Sequence, residues 1–168
     1  MLTTTTMRLP GGWSGKVLTS SHLSEIPIDT WRKALGDLIG GANTDERTVL
    51  KRSKTTNLFR IRMELGSTTI DAVCKHILAR GRNRTTRQWD CVMHLSRLQI
   101  NTALPLACLE RTSPKREAWM ITQAIPDVVD LERIVSGLLN ELEPAHARAV
   151  KRALTVRVAA LCHAIERA

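Results

Sequence analysis

The sequence predicts an α+β protein in which three antiparallel strands, a helix and two more strands precede two helices. Two patterns support this fold class. Apolar residues alternate with charged ones from Phe59 to Leu65, which is typical of a strand buried on one face. Between Pro144 and Glu166 the apolar residues recur at helical spacing, behind a proline suited to the first turn of a helix. We therefore expect a five-stranded antiparallel sheet with one inserted helix, followed by helices.

The elements divide the chain into three expected segments. Glycines around Trp13 indicate an irregular leader over residues 1–46, with a possible short amphipathic helix at 28–39. A lobe at 47–126 holds the sheet, and 127–168 holds the final helices. The expected strands are 48–53, 58–65, 68–77, 104–110 and 118–124. The expected helices of the lobe and the C-terminal segment are 85–98, 128–141 and 144–166.

The positive charge is concentrated in the centre of the chain. The net charge is +9, from 25 Lys and Arg against 16 Asp and Glu, and residues 51–97 alone hold eleven basic and three acidic side chains. Such a block is typical of a surface for phosphate, anionic lipid or nucleic acid, and equally of a solvated face without a ligand. With only one Phe, four Trp and no Tyr, the sequence does not favour a stacking platform for single-stranded nucleic acid.

Several other classes of protein are disfavoured. The four cysteines lack Cys-x-x-Cys spacing, so we expect no metal site and reduced thiols of a cytoplasmic protein. No signal peptide is visible, and no stretch approaches the roughly 20 apolar residues of a membrane span. We expect a location in the cytoplasm, or peripheral to a membrane.

Lys75, in the middle of the third strand, is the first candidate for chemistry. A strand lysine usually extends its ammonium group to solvent. The alternative is the kinase pattern, in which a strand lysine contacts nucleotide phosphates and pairs with a carboxylate on the next helix. Asp90 is the one carboxylate in the helix that follows, so it is the candidate partner, or else a solvated helix residue.

From about Thr48 the chain resembles the lipopolysaccharide kinase (Kdo/WaaP) family, a branch of the protein-kinase-like fold. The resemblance combines several segments in order rather than one motif. Each is similar to a family strand, helix entry or loop: 49–51 with 55–62, Ala72-Val73-Cys74-Lys75, 80–87 with Trp89, 100–107, and Ala118-Trp119-Met120-Ile121-Thr122-Gln123-Ala124.

The resemblance implies a kinase N-lobe followed by the first helices of a C-lobe. ATP would then lie under the hairpin formed by residues 51–62. Lys75 would contact its phosphates, and backbone groups of Gln123, Ala124 and Ile125 would contact adenine. The hairpin turn contains no glycine, so its four residues would contact phosphate through hydroxyl or ammonium groups. These residues are Ser53, Lys54, Thr55 and Thr56.

Phosphoryl transfer also needs an Asp that orients the acceptor and ligands for Mg²⁺. Leu161-Cys162-His163 resembles the end of the helix before the family's catalytic loop, and no such loop follows it. We therefore expect a truncated or fragmentary lipopolysaccharide core sugar kinase that is inactive alone. Mg²⁺ would bind only if a C-terminal half were supplied, and the expected acceptor is lipopolysaccharide core or another anionic glycan.

Two alternatives remain open. The same lobe suits a non-catalytic, pseudokinase-like binding or regulatory module. The basic block suits a nucleic-acid-binding protein less well, since its arginines are spread over strands and a helix entry. Without a covering C-lobe, Val150, Leu154, Val158 and Leu161 would be exposed, which predicts self-association.

Overall fold

The computed structural model describes residues 2–20, 25–41, 47–78, 84–100, 102–126 and 134–167. The chain divides into two compact units. The first comprises residues 1–96 with 101–124, and the second comprises 97–100 with 125–168. The first unit contains the sheet, and the second consists of helical segments near the C-terminus.

A seven-stranded antiparallel sheet forms the first unit, in the order β1-β2-β6-β7-β5-β4-β3. The strands are β1 (Thr3–Leu9), β2 (Trp13–Ser20), β3 (Thr48–Arg52), β4 (Thr56–Leu65), β5 (Thr68–Ile77), β6 (Pro105–Arg111) and β7 (Glu117–Gln123). The helices of this unit are α1 (Ile28–Gly40), after β2, and α2 (Arg84–Arg97), between β5 and β6. The expected α+β class is confirmed.

The prediction of five strands was wrong, because residues expected to be irregular form β1 and β2. Trp13, Gly15 and Val17 alternate along β2, and β2 pairs with β6 at the edge of the predicted five-stranded set. Gly15 permits this pairing, since a Cβ atom there would overlap the backbone of Cys108. We interpreted the glycines around Trp13 as a sign of irregular structure, but one of them, Gly15, is required by the close packing of two strands.

One face of the sheet, which we call the α1 face, is covered by α1 and holds most of the core. Phe59, Ile61 and Met63 of β4 point to it, and their burial alternates with exposed neighbours as predicted. Trp31 of α1 is fully buried, and its indole Nε1 donates a hydrogen bond of 2.8 Å to the Leu18 carbonyl oxygen. The helix is fixed by apolar packing together with this buried polar contact.

The opposite face, which we call the α2 face, is covered by α2 at the β2–β6 end of the sheet. Trp89 and Met93 of α2 are buried in the core. The Thr86 amide and hydroxyl both donate to Oε1 of Glu110 on β6, at 3.1 and 3.2 Å. These contacts place α2 over β6 and leave basic side chains of β3–β5 partly accessible.

The second unit contains a π-helical turn (Ile134–Leu138), the short helix α3 (Leu139–Glu141) and α4 (Pro144–Glu166). The expected helix at 144–166 is confirmed. The expected helix at 128–141 falls partly outside the described residues, and its described part is π-helical before α3. Within the described ranges, no helix is both long enough and apolar enough to cross a membrane.

Candidate functional site

Lys75 lies on the α2 face, within a row of side chains that crosses the sheet. Antiparallel register places Lys51 beside Leu58, Leu58 beside Lys75, and Lys75 beside Met120. The row continues through Cys108 to Lys16. Directly paired residues point to the same face, so one row carries three lysines.

The Lys75 side chain is half-buried, and its ammonium makes no hydrogen bond or ion pair within the described residues. Its immediate neighbours in the row, Leu58 and Met120, are apolar. Lys51 lies two strands away, so the two Cα atoms are about 10 Å apart. Both long side chains can therefore approach one anionic group over Leu58.

Two arginines near this pair already share one carboxylate. Nη2 of Arg60 lies 2.7 Å from Oδ2 of Asp71, and Nε of Arg62 lies 3.9 Å from Oδ1 of the same carboxylate. The Lys51 ammonium has no such partner among the residues that the structure describes. On the α2 face of β3–β5, Lys51 and Lys75 are thus cations that remain available to an external anion.

Asp90 is placed on α2 as expected, but it pairs with Lys16 rather than with Lys75. The distance from Lys16 Nζ to Asp90 Oδ1 is 3.0 Å. Lys16 belongs to β2, three strands from β5, or about 14 Å across the sheet. The helix carboxylate that a kinase-like pairing would use is therefore held by one of the two unpredicted strands.

The four turn residues lie at the β4–β5 end that carries Lys75, since Thr56 pairs with Ile77. The Ser53 hydroxyl accepts hydrogen bonds from the backbone amides of Thr55 and Thr56, at 3.3 and 3.0 Å. It also donates a hydrogen bond to the Thr56 carbonyl oxygen. The turn is thus closed by its own serine, which uses the hydroxyl expected to contact phosphate. The exposed Lys54 ammonium remains available, with no partner among the described residues.

The residues expected to contact adenine follow the end of β7. The Gln123 amide donates to the Leu104 carbonyl at 2.8 Å, and the Ala124 amide donates to the Asp71 carbonyl at 2.8 Å. Ile125 belongs to the second unit and is exposed. Two of the three amides are therefore occupied by internal hydrogen bonds, and adenine contacts would depend on carbonyl groups or on Ile125.

Sequence reasoning placed Lys51 in the hairpin expected to cover ATP but assigned no phosphate contact to it, and it did not consider Lys16. Periodicity could not place either lysine on a face, because β3 is exposed throughout with a register shift between Val49 and Lys51, and β2 has two adjacent buried residues. Their alignment with Lys75 depends on strand register. The register between β2 and β6 could not be read from the sequence, because β2 itself was not expected.

The α2 face also contains Cys108, between Lys16 and Met120 in the row. Burial raises the pKa of its thiol to about 11, against the opposing effect of the nearby Lys16. The thiol is therefore neutral at pH 7 and does not act as a nucleophile. Within the described ranges, no group of three or more His, Cys, Asp or Glu residues could hold a metal ion.

These residues fit one part of a magnesium nucleotide. The lysine pair and the apolar Leu58 between its members suit a polyphosphate chain, which needs donors and positive charge. Oxygen ligands for Mg²⁺ are not gathered there, since Asp71 is engaged with Arg60 and Asp90 with Lys16. The described residues thus fit phosphate and provide no site for the metal.

Comparison with known proteins supports the fold. A solved structure of WaaP in complex with acyl carrier protein matches with a TM-score of 0.50 and 19% sequence identity. The match covers 80% of this chain and 54% of the WaaP chain, so the chain spans about half of that protein's length. The chain thus resembles, in fold, a protein of the kinase-like family indicated by its sequence. No protein-family model matches the chain, and no curated protein does.

Proposed function

We propose that this chain is the nucleotide-binding lobe of a lipopolysaccharide kinase-like protein and binds the phosphates of ATP on its α2 face. The observation that carries the proposal is a pair of lysines, Lys51 and Lys75, which lie on either side of Leu58 in one row and have no partner among the described residues. Each can donate charge-assisted hydrogen bonds to phosphate oxygens. The fold resemblance to WaaP supports a nucleotide as the source of that phosphate.

The proposed lobe binds without transferring phosphate. Asp71 and Asp90 are engaged in ion pairs, and the described residues gather no ligand set for Mg²⁺. Phosphoryl transfer depends on metal ions that neutralise developing charge and on a group that orients the acceptor. We expect those groups to come from another chain or segment, with lipopolysaccharide core or another anionic glycan as the acceptor.

The test measures ATP binding by the shift in Tm and by calorimetry, with Mg²⁺ or with EDTA. We expect saturable binding that persists in EDTA, because the lysines and not a metal contact the phosphates. Lys75→Met should weaken ATP binding at least tenfold, because it removes a charged hydrogen bond that contributes about 1.5–3 kcal/mol. Lys33→Met on α1 is the matched control, since it removes a lysine from the opposite side of the sheet.

Two results would contradict this proposal. One is the absence of saturable ATP binding, and the other is equal binding by wild type and Lys75→Met. A third measurement tests the absence of catalysis. Transfer of the γ-phosphate to a core oligosaccharide by the purified 168 residues would show that the chain is an enzyme on its own.

A protein-binding module is the second candidate, and α4 is the observation that favours it. No residue of α4 is buried, and an apolar stripe of Val150, Leu154, Val158 and Leu161 runs along it. The exposed apolar residues along α4 would be stabilised by a covering partner. WaaP was solved with acyl carrier protein, so that protein is the partner to test.

Fluorescence anisotropy with labelled acyl carrier protein separates the two candidates. Val158→Asp with Leu161→Asp would abolish binding through the stripe. Lys75→Met would leave that binding unchanged, because it lies in the first unit. The same double variant tests the predicted self-association by light scattering, where a wild-type monomer would rule it out.

A further inference from the structure

The strands that carry Lys51 and Lys75 present a second set of donors on the α1 face, one residue further along. Register places Arg52 of β3 beside Asn57 of β4, and Asn57 beside His76 of β5. Neighbouring strands are about 4.8 Å apart, so guanidinium, carboxamide and imidazole groups stand side by side. The side chains of Arg52 and Asn57 make no hydrogen bond within the described part of the chain.

A cavity of about 360 Å³ opens at this row of donors. None of the described residues that line it carries a carboxylate. One further cation, Arg47, is held in place, with its Nη2 donating to the Leu38 carbonyl at 3.0 Å and its Cζ lying 5.0 Å from the Phe59 ring centroid. The lining residues are Arg47, Val49, Arg52, Asn57, Leu58, Phe59 and His76.

His76 is fixed at the inner end of the row. Its ring stacks on Trp119, with centroids 4.0 Å apart and planes at 8°. Its Nε2 is buried without a hydrogen bond, 3.6 Å from Oε2 of Glu117, and that carboxylate is itself held by Arg111 at 3.0 Å. Glu117 is therefore engaged with Arg111, and it is not among the described residues that line the cavity.

We propose that this cavity is a second anion site, which binds a phosphate group carried by a small molecule. The donors of Arg52 and Asn57 would contact the phosphate oxygens, with the positive field of Arg47 behind them and His76 at the inner end. Val49 and Phe59 would contact the carbon part of a phosphate monoester. The donors of the site lie on the face opposite to Lys75, and Leu58 is the lining residue that it shares with the proposed ATP site.

His76 supplies the spectroscopic signal for the test. Burial lowers its pKa, Glu117 opposes that shift, and Arg47 and Arg111 add to it. A bound anion would stabilise the imidazolium and raise this pKa. The full chain with isotope-labelled histidine is titrated with inorganic phosphate, and separately with glycerol 3-phosphate, at constant ionic strength set by chloride.

We expect a saturable shift of the His76 resonance and a higher His76 pKa in the bound form. A stronger response to glycerol 3-phosphate assigns the ligand as a monoester, and an equal response assigns free phosphate. Arg52→Gln and Asn57→Ala should each weaken binding, about tenfold or more for the charged contact. Circular dichroism verifies that each variant folds.

Lys51→Gln is the matched control, because it removes a cation from the same strand but from the opposite face. It should leave the His76 shift unchanged and weaken ATP binding, whereas Arg52→Gln should do the reverse. A His76 resonance that does not respond, or responds equally in Arg52→Gln and wild type, overturns the second site. Loss of ATP binding alone contradicts only the proposed function.

Discussion

The two faces of the sheet use the same strands for different purposes. On the α1 face, α1 packs against β1 and against β4, and tryptophan, leucine and methionine side chains fill the core beneath it. On the α2 face, α2 covers the β2–β6 end and leaves the lysines of β3–β5 accessible. The comparison shows that most of the apolar core lies on one face, while the other face leaves the ammonium groups of Lys51 and Lys75 without a partner among the described residues.

The largest expected effect comes from truncating the buried tryptophan of α1, the helix that covers the α1 face. Trp31→Ala should destabilise the protein by about 3–5 kcal/mol, because it creates a cavity in the core and leaves the Leu18 carbonyl without its donor. Urea unfolding followed by circular dichroism measures the change. Lys33→Ala, on the exposed side of the same helix, should change stability by less than about 0.5 kcal/mol. Similar losses in both variants would show that α1 is not part of the core.

The second effect tests the attachment of β2 to β6. Gly15→Ala should cost about 1–3 kcal/mol, because its Cβ would overlap the Cys108 backbone and one strand must shift. Gly36→Ala is the control, since a Cβ there meets nothing within 4 Å. In helix α1 it should stabilise by about 0.5–1 kcal/mol. Thermal unfolding measures the change in stability of both variants. An unchanged stability in Gly15→Ala would contradict the pairing of β2 with β6.

The third effect compares a buried thiol on each face under alkaline conditions. Burial raises the pKa of Cys74 on the α1 face to about 12, and that of Cys108 on the α2 face to about 11, from an ordinary thiol pKa of 9.0. Both thiols stay protonated in the folded state above pH 9, where they ionise in the unfolded chain. Stability is therefore present in full below pH 9 and lost as pH rises towards the folded values.

The expected slope between pH 9 and pH 10 approaches about 1.4 kcal/mol per pH unit for each thiol. Urea unfolding at several pH values measures how the free energy of unfolding changes with pH. Cys74→Ala should remove the contribution of one thiol from that slope. An unchanged slope in that variant would mean that Cys74 ionises normally in the folded protein.

The smallest expected effect concerns the ion pair that ties α2 to β2. The Lys16 and Asp90 side chains are 37% and 59% exposed, so solvent screens their attraction. Lys16→Met and Asp90→Asn should each cost less than about 1 kcal/mol. A double-mutant cycle isolates the pair, and a coupling above about 1 kcal/mol would show that it contributes more than an exposed pair.

Local patterns were enough to predict the centre of the fold. The alternation from Phe59 to Leu65 and the proline at 144 each identified an element, because both signals lie within a few residues. The same patterns could not predict β1 and β2, since their pairing depends on Gly15 meeting a strand more than ninety residues away. Lys75 could be assigned to a face from its own strand. Asp90 could not be assigned to Lys16, because that contact requires the position of β2.

The pairing of β2 with β6 has a consequence for the order in which the protein folds during synthesis. The hairpin β1–β2 is made first, but its partner residues Ala107–Arg111 follow about ninety residues later. At about 5–20 residues per second, the hairpin waits for roughly 5–20 s before it can join the sheet. Meanwhile β3, β4 and β5 pair locally, so the middle of the chain can nucleate the fold and the N-terminus completes it.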